Sequence, residues 1–356
     1  MAGRYVVVVV VIMFEGLVIF VKLQLIIIFD LIHTFKKIFK FLQTGKHEFE
    51  RICESQCDIY EKTMLFDNWL ERTKCKPIRM FLDKHFGKNS KSRTEQTINS
   101  ITKLTNEIVK IIQKSKRTSL SVKCEANLRD ILQRILFYKL SLSFAERMAA
   151  TKYDQEISSH VEKLISLWNN LVEADGYTCK QTNRQLNAFP EELRKERLHN
   201  SNDIVSSRWS HIGFQGSDPG TDFRGMGVLG LTQLEYLSQR PNKLAVDLLR
   251  RSLNEKHSYP FAIVGINITY NLLALLKDGS LKHFYYDTGN SLFAKRNKNL
   301  VTTLNDLYVE LFLRFDCFWH ESEPENIFAF RELIDKFISV IRFDLCNRNF
   351  GFKFSY

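Results

Sequence analysis

At 356 residues and 41.8 kDa, with 44% apolar residues and a formal charge of +11, the chain can build one large domain or two modest ones and is basic enough to seek an acidic partner. Its lysines and arginines are scattered over many helical segments with no zinc-finger spacing, RNP-like strand or basic zipper, which argues against nucleic acid. Seven dispersed cysteines, an odd number, read as reduced thiols rather than a disulfide framework, and Cys53 and Cys57 share a helical face without a second ligand pair, so no metal centre is expected.

The chain opens on an apolar run, YVVVVVVIMFEGLVIFVKLQLIIIF, from Tyr5 to Phe29, interrupted by Glu15, Lys22 and Gln24. Its length permits a membrane span of about 20 residues, but ionisable groups near a bilayer centre cost roughly 2.5 to 3.5 kcal/mol each. Glu15 and Lys22 lie seven apart on one helical face, as in a tilted or monotopic helix. In the following HTFKKIFKFLQTGK, Phe35, Ile38, Phe39 and Leu42 make an apolar stripe opposite Lys36, Lys37 and Lys40. We read residues 1–46 as a membrane-associating element that contacts a membrane surface through residues 5–42 and leaves the remainder in the cytoplasm. A signal peptide and a buried helix are the rival readings, the former weakened by a single basic residue, Arg4, and the lack of a small-x-small cleavage site.

From Glu48 to Val172 apolar residues recur at three and four spacing, as in IVKIIQKS, LRDILQRILFYKL and VEKLISLWNNLV, which predicts helices throughout. The mixed-charge stretch 173–207 reads as a long surface loop or linker. Beyond it, helices are predicted over Met226–Leu237, from Pro260 through FAIVGINITYNLLALLKDG, over Leu300–Trp319 and over Pro324–Ile341. Asn267-Ile268-Thr269 matches a glycosylation sequon but falls inside an apolar helical run, where a buried helix position is the better reading. Strand-like alternation is confined to HFYYDTG, which fits a loop equally well. The expectation is an all-α, bundle-type fold.

One stretch departs from this pattern. HIGFQGSDPGTDFRGMGVLG, from His211 to Gly230, holds six of the fifteen glycines and has Arg224 near its middle. It fits a tight connection between helices, with Asp218 or Asp222 holding the arginine in a structural ion pair. It does not fit a phosphate-cradling loop, since neither G-x-x-x-x-G-K-[ST] nor a strand followed by G-x-G-x-x-G occurs. It also fits a surface that meets another protein's nucleotide site: glycines allow close backbone approach, the aspartates orient a guanidinium, and the arginine is inserted toward a γ-phosphate.

The segment WSHIGFQGSDPGTDFRGMGVLGL, Trp209 to Leu231, resembles the signature of the ELMO (engulfment and cell motility) domain, in its ELMO domain-containing branch. Trp209, Gly213, Phe214, Gln215, Gly216, Asp218, Pro219, Thr221, Asp222, Phe223, Arg224, Gly225 and Gly227 all match the pattern W-x-x-x-G-F-Q-G-x-D-P-x-T-D-F-R-G-x-G. The likeness continues at YPFAIVGINIT and FDCFWHESEPENI. It implies an all-helical, multi-helix ELMO domain over 126–345, from which the chain departs by the polar insertion 173–207, with an apolar N-terminal helix, a helical region 47–125 before the domain and a tail, 346–356, after it. It further implies a GTPase-activating protein for GTP-bound Arf and Arf-like small GTPases, with Arg224 as the catalytic residue supplied in trans. No cofactor and no nucleotide site of the chain's own are expected, and the place of action is the cytoplasmic face of an intracellular membrane, or the cytoplasm.

In the same reading Gln215 braces the loop through its amide or positions water, and Trp209, Phe214 and Phe223 pack beneath it, with Trp319 in the core. Other ELMO-domain proteins act as adaptors with DOCK-type exchange factors in Rac signalling, cytoskeletal rearrangement and engulfment, and carry armadillo-like and PH-type regions and a proline-rich tail. This chain has six prolines and no P-x-x-P tail, so the activator is expected over the adaptor.

Overall fold

In the computed structural model of the chain, residues 36, 39–87, 98–173, 205–287 and 299–353 are described. The apolar run 5–29 and most of the segment 173–207 lie outside them. All regular structure among the described residues is helical. Helical residues at 36 and 39–44 come first, followed by α1 (Glu48–Glu54), α2 (Ile59–Arg72), α3 (Lys76–Phe86), α4 (Ile98–Lys116), α5 (Val122–Ala150) and α6 (Ser158–Glu173). After the glycine-rich stretch come α7 (Gly227–Ser238), α8 (Leu244–Ser252), α9 (Phe261–Lys277), α10 (Lys282–Tyr286), α11 (Leu300–Glu321) and α12 (Phe330–Cys346).

The 29-residue α5 is the axis of the bundle. It starts at Ser121, whose side chain accepts from the Cys124 N–H, and it buries residues on several faces because α1, α2, α4, α7, α9, α10 and α11 all pack around it. Polar groups on α5 hold partners distant in sequence: Tyr138 donates its hydroxyl to the Leu276 carbonyl, and Arg134 donates to the carbonyls of Tyr286 and Asp287. The helices before α5 share one hydrophobic core with those after it, through Phe49, Phe66, Trp168, Trp209, Phe261, Tyr308 and Trp319. Buried carboxylates are paired. Asp67 accepts from Tyr286 at 2.9 Å and faces Lys282 at 2.7 Å, and Asp316 accepts from Tyr259 at 2.7 Å and faces Arg251 at 2.5 Å.

Two sequence expectations are corrected. Residues 283–286 of HFYYDTG belong to the short helix α10, whose Phe284, Tyr285 and Tyr286 are all buried while Lys282 and His283 keep polar partners, so the apparent alternation is a helix set into the core. Pro324 does not start the last helix. It is buried in the connection, Asn326 caps a 3₁₀ turn at Ile327–Ala329, and α12 begins only at Phe330 and runs on to Cys346. Asn267 lies within α9, bonded to the Ile263 carbonyl, and Thr269 is fully buried, as a helix position in the core should be. Cys53 and Cys124 are buried free thiols in contact, with the hydrogen bond to Cys124 first and burial second pushing the Cys53 thiol up.

Candidate functional site

Four helix ends meet at one end of the bundle. Helix α5 finishes at Ala150 and α11 at Glu321, while α7 starts at Gly227 and α9 at Phe261. The glycine-rich stretch is laid across that end as two 3₁₀ turns, Ser207–Ile212 and Pro219–Arg224, joined by the tight segment 213–218.

Its inner side is aromatic. Trp209, Phe214 and Phe223 are buried, and their rings form a continuous edge-to-face series, with Trp168 against Trp209 at 5.3 Å, Trp209 against Phe214 at 5.6 Å and Phe214 against Phe223 at 5.7 Å. Tyr153 extends it at 5.9 Å from Phe223, and burial pushes its hydroxyl up to about 12. Such pairs contribute about 0.5 to 1.5 kcal/mol each beyond the area they bury. These residues hold the loop, as expected from the sequence, and Trp319 is likewise core.

Glycine identity is dictated where the loop meets other backbone. At Gly213 (φ +85°) a Cβ would meet the Phe261 nitrogen and lie 2.6 Å from the Pro260 carbonyl carbon. The Gly213 carbonyl accepts from the Ile263 N–H at 3.2 Å, so it satisfies one of the free donors in the first turn of α9. At Gly227 (φ +49°) a Cβ would strike the Thr151 carbonyl oxygen and lie 2.6 Å from that of Ala149, and the adjacent Val228 N–H donates to Thr151 at 2.9 Å. The loop is thus riveted to the start of α9 and the end of α5. Gly220 faces the Tyr153 ring, which a Cβ would approach to 2.8 Å. Gly216 and Gly225 differ: a Cβ at either would meet nothing within 4 Å, so Gly216 is required only by its φ of +74° and Gly225 by neither space nor backbone.

The polar residues brace the loop from within. Asp218 accepts from the Gly220 N–H at 2.9 Å, starting the turn whose first residue is the buried Pro219. The Thr221 hydroxyl donates to the Asp218 carbonyl at 2.8 Å. Asp222 accepts from the Gln215 N–H at 2.7 Å and so ties the two halves together. Burial pushes the Asp222 carboxyl above its ordinary value, while the Gln215 N–H and the Arg224 charge act in the opposite direction.

Arg224 is exposed, and its Nε donates to the Thr221 carbonyl at 2.7 Å. The ion pair with Asp218 or Asp222 that the tight-connection reading offered is absent among the described residues: one carboxylate caps a turn and the other accepts from Gln215, although the Arg224 charge still acts on Asp222. The guanidinium is therefore anchored by one nitrogen, and its two Nη groups keep their donors for an external acceptor. Gln215 braces the loop through its main-chain N–H, not through its amide, and its exposed side chain makes no hydrogen bond among the described residues. Gln215, Gly216, Ser217, Thr221, Arg224 and Gly225 make up the exposed rim. Sequence reasoning missed the seats of the loop, Thr151, Tyr153 and Pro260. The only hint was YP at the head of the α9 stretch.

The model of the ELMO/CED-12 family matches residues 143–334. ELMO domain-containing protein 2 of Homo sapiens is 30% identical over 299 residues, covering 84% of this chain and 87% of the relative. ELMO domain-containing protein 1 of Bos taurus is 29% identical over 311 residues, covering 83% and 82%. ELMO domain-containing protein B of Dictyostelium discoideum is 33% identical over 211 residues, covering 59% and 62%. No solved structure gives a significant match.

Proposed function

Because the chain belongs to the ELMO/CED-12 family, we propose that its glycine-rich loop is the working surface of a GTPase activator for Arf and Arf-like small GTPases, with Arg224 supplied in trans. The observation that carries this reading is the seating of Arg224: an exposed guanidinium on a rigid pedestal, held by Nε alone. Phosphoryl transfer needs little covalent chemistry from a protein, and its transition state spreads negative charge over the equatorial oxygens of the γ-phosphate. A planar, permanently charged fork with two free prongs meets that charge where a lysine ammonium would not. An arginine offered in this way contributes about 10³ to 10⁵ in rate.

The pedestal matters as much as the charge. A donor that is already oriented adds little reorganisation cost when the transition state forms. The Nε bond to Thr221, the Asp222 brace and the aromatic series beneath are what fix it here. The test is single-turnover GTP hydrolysis by a panel of Arf and Arf-like GTPases with the wild-type chain and with Arg224→Lys. Acceleration by wild type that the lysine variant loses by at least about tenfold supports the reading. Acceleration by neither turns the loop into a scaffold's surface and favours the family's adaptor role.

The activator is proposed to work at a membrane surface. Among the described residues no helix is long and apolar enough to cross a membrane. At 36 and 39–44, however, Phe39, Phe41 and Leu42 are exposed beside exposed Lys36 and Lys40, a basic apolar surface suited to an anionic bilayer. Removing residues up to Gly45 is expected to release the protein from membranes. Unchanged sedimentation with a membrane fraction would refute this.

A further inference from the structure

The end of the bundle that carries Arg224 carries a second feature that the loop does not account for. The Tyr259–Pro260–Phe261 entry to α9 is gripped on one side by Gly213. On the other side it is packed against the end of α11, with the Tyr259 ring at 5.9 Å from Trp319 and its hydroxyl on Asp316. The preceding residue pair binds the next connection: Trp319 Nε1 donates to the His257 carbonyl at 2.8 Å, and His257 Nδ1 donates to the Pro324 carbonyl at 3.0 Å. The segment from Glu321 to Phe330 is therefore fixed beside the loop's own seat, by short contacts that leave it little freedom.

That segment presents an apolar knob. Phe328 is 90% exposed and Ile327 flanks it at the surface, whereas Phe330, two residues on, turns inward against Phe315 and Trp319. The knob is held in position, because the Asn326 side chain accepts from the Phe328 N–H at 2.9 Å and closes the 3₁₀ turn Ile327–Ala329. A phenylalanine in water on a braced turn carries an exposure penalty that covering it would relieve, and aromatic side chains are enriched among the residues that anchor interfaces.

The surroundings select the occupant. Glu321, Glu323 and Glu325 are exposed on the same segment and make no ion pair among the described residues, although the chain as a whole is at +11. Three carboxylates lead into the apolar knob, and Arg331 beyond it is matched by Asp335 at 3.4 Å, so the segment is net acidic, repels an anionic bilayer and favours a protein surface with an apolar depression edged by lysine or arginine. The same protein must come to this end if Arg224 is to reach its nucleotide. We propose that Ile327–Phe328 is a second docking contact for the small GTPase, separate from the arginine loop, which sets affinity while Arg224 sets rate. This assignment rests on the activator reading for the identity of the partner.

The two are separable by titration. The full-length chain, Phe328→Ser and Phe343→Ser are titrated against the most strongly stimulated GTPase of the panel in single-turnover hydrolysis. In parallel, their binding to the same GTPases loaded with a non-hydrolysable GTP analogue is measured. Phe343, 67% exposed near the far end of α12, is the control for loss of a surface phenylalanine elsewhere. Phe328→Ser is expected to raise the half-saturating concentration and the dissociation constant at least about tenfold, with an unchanged maximal rate, as removal of an anchoring aromatic does. Phe343→Ser is expected to change neither.

Binding by Phe328→Ser within twofold of wild type overturns the contact, as does equal weakening by Phe343→Ser. So does a loss seen only as weaker sedimentation with phosphatidylcholine–phosphatidylserine vesicles. Phe328-dependent binding without any stimulated hydrolysis refutes the activator reading and leaves the contact standing. Binding to no GTPase of the panel overturns both.

Discussion

The two faces of the glycine-rich loop are built on opposite terms. Toward the bundle, every residue has a partner that explains it: Gly213 faces the backbone of Pro260 and Phe261, Gly227 the carbonyls that end α5, and Trp209, Phe214 and Phe223 one another's rings. Toward solvent, Arg224 and Gly225 have almost none, and Gly216 answers only to its own backbone, at φ +74°. A loop whose only task was to join two helices would need the first face and could carry any soluble residues on the second. The contrast teaches that a glycine count is not a functional signal in itself. What matters is which glycines the fold already explains.

The largest effect should follow from damage to the inner face. Gly227→Ala forces a Cβ onto two backbone carbonyls, which are not the yielding tip of a side chain, and holds an L-residue at φ +49°. The combined clash and strain are expected to cost about 2 to 5 kcal/mol. Thermal unfolding should shift down by several degrees, and a melting temperature within about one degree of wild type would mean that the loop is not riveted at the end of α5. The intermediate effect belongs to the outer face. Arg224→Lys should leave the melting temperature unchanged, since the side chain is exposed, yet cost at least about 1.4 kcal/mol of transition-state stabilisation, the equivalent of a tenfold rate. Equal losses of stability in both variants would erase the distinction between the faces.

The same division decides what could be read from the sequence. Long helices such as α5, α9 and α11 were legible because each carries its apolar residues at helical spacing over many turns. Helix α10 was not, since five residues contain little more than one turn and all its aromatics are buried. The start of α12 was misplaced because proline commonly opens a helix, whereas here Asn326 provides the cap and Glu323, at φ +44°, has already turned the chain. In the loop, the matched residues and the packing role of the aromatics were legible as a motif. The division of labour among the glycines was not, because Thr151 and Pro260, the groups that fix Gly227 and Gly213, are tens of residues away. Nor was the fate of the aspartates, whose local donors, the N–H groups of Gly220 and Gln215, outcompete a solvated guanidinium.

The smallest predicted effect on the fold is also the sharpest probe of the outer face. Gly225 has φ −85° and ψ −35°, ordinary helical values that alanine adopts without strain, and a Cβ there would touch nothing within 4 Å. On the protein alone, Gly225→Ala should therefore stabilise by about 0.4 to 1 kcal/mol, since it reduces the conformational freedom of the unfolded chain at no cost to the folded one. If the outer face is where a GTPase backbone comes close to the residue after Arg224, the added methyl stands in that partner's way and stimulated hydrolysis should fall although the melting temperature rises. The two readouts then move in opposite directions, which no loss of folding can imitate. A rise in both stability and activity, or a rise in stability with activity unchanged, would mean that the glycine serves no approach, and the proposed surface would have to be redrawn around Arg224 and Gly216.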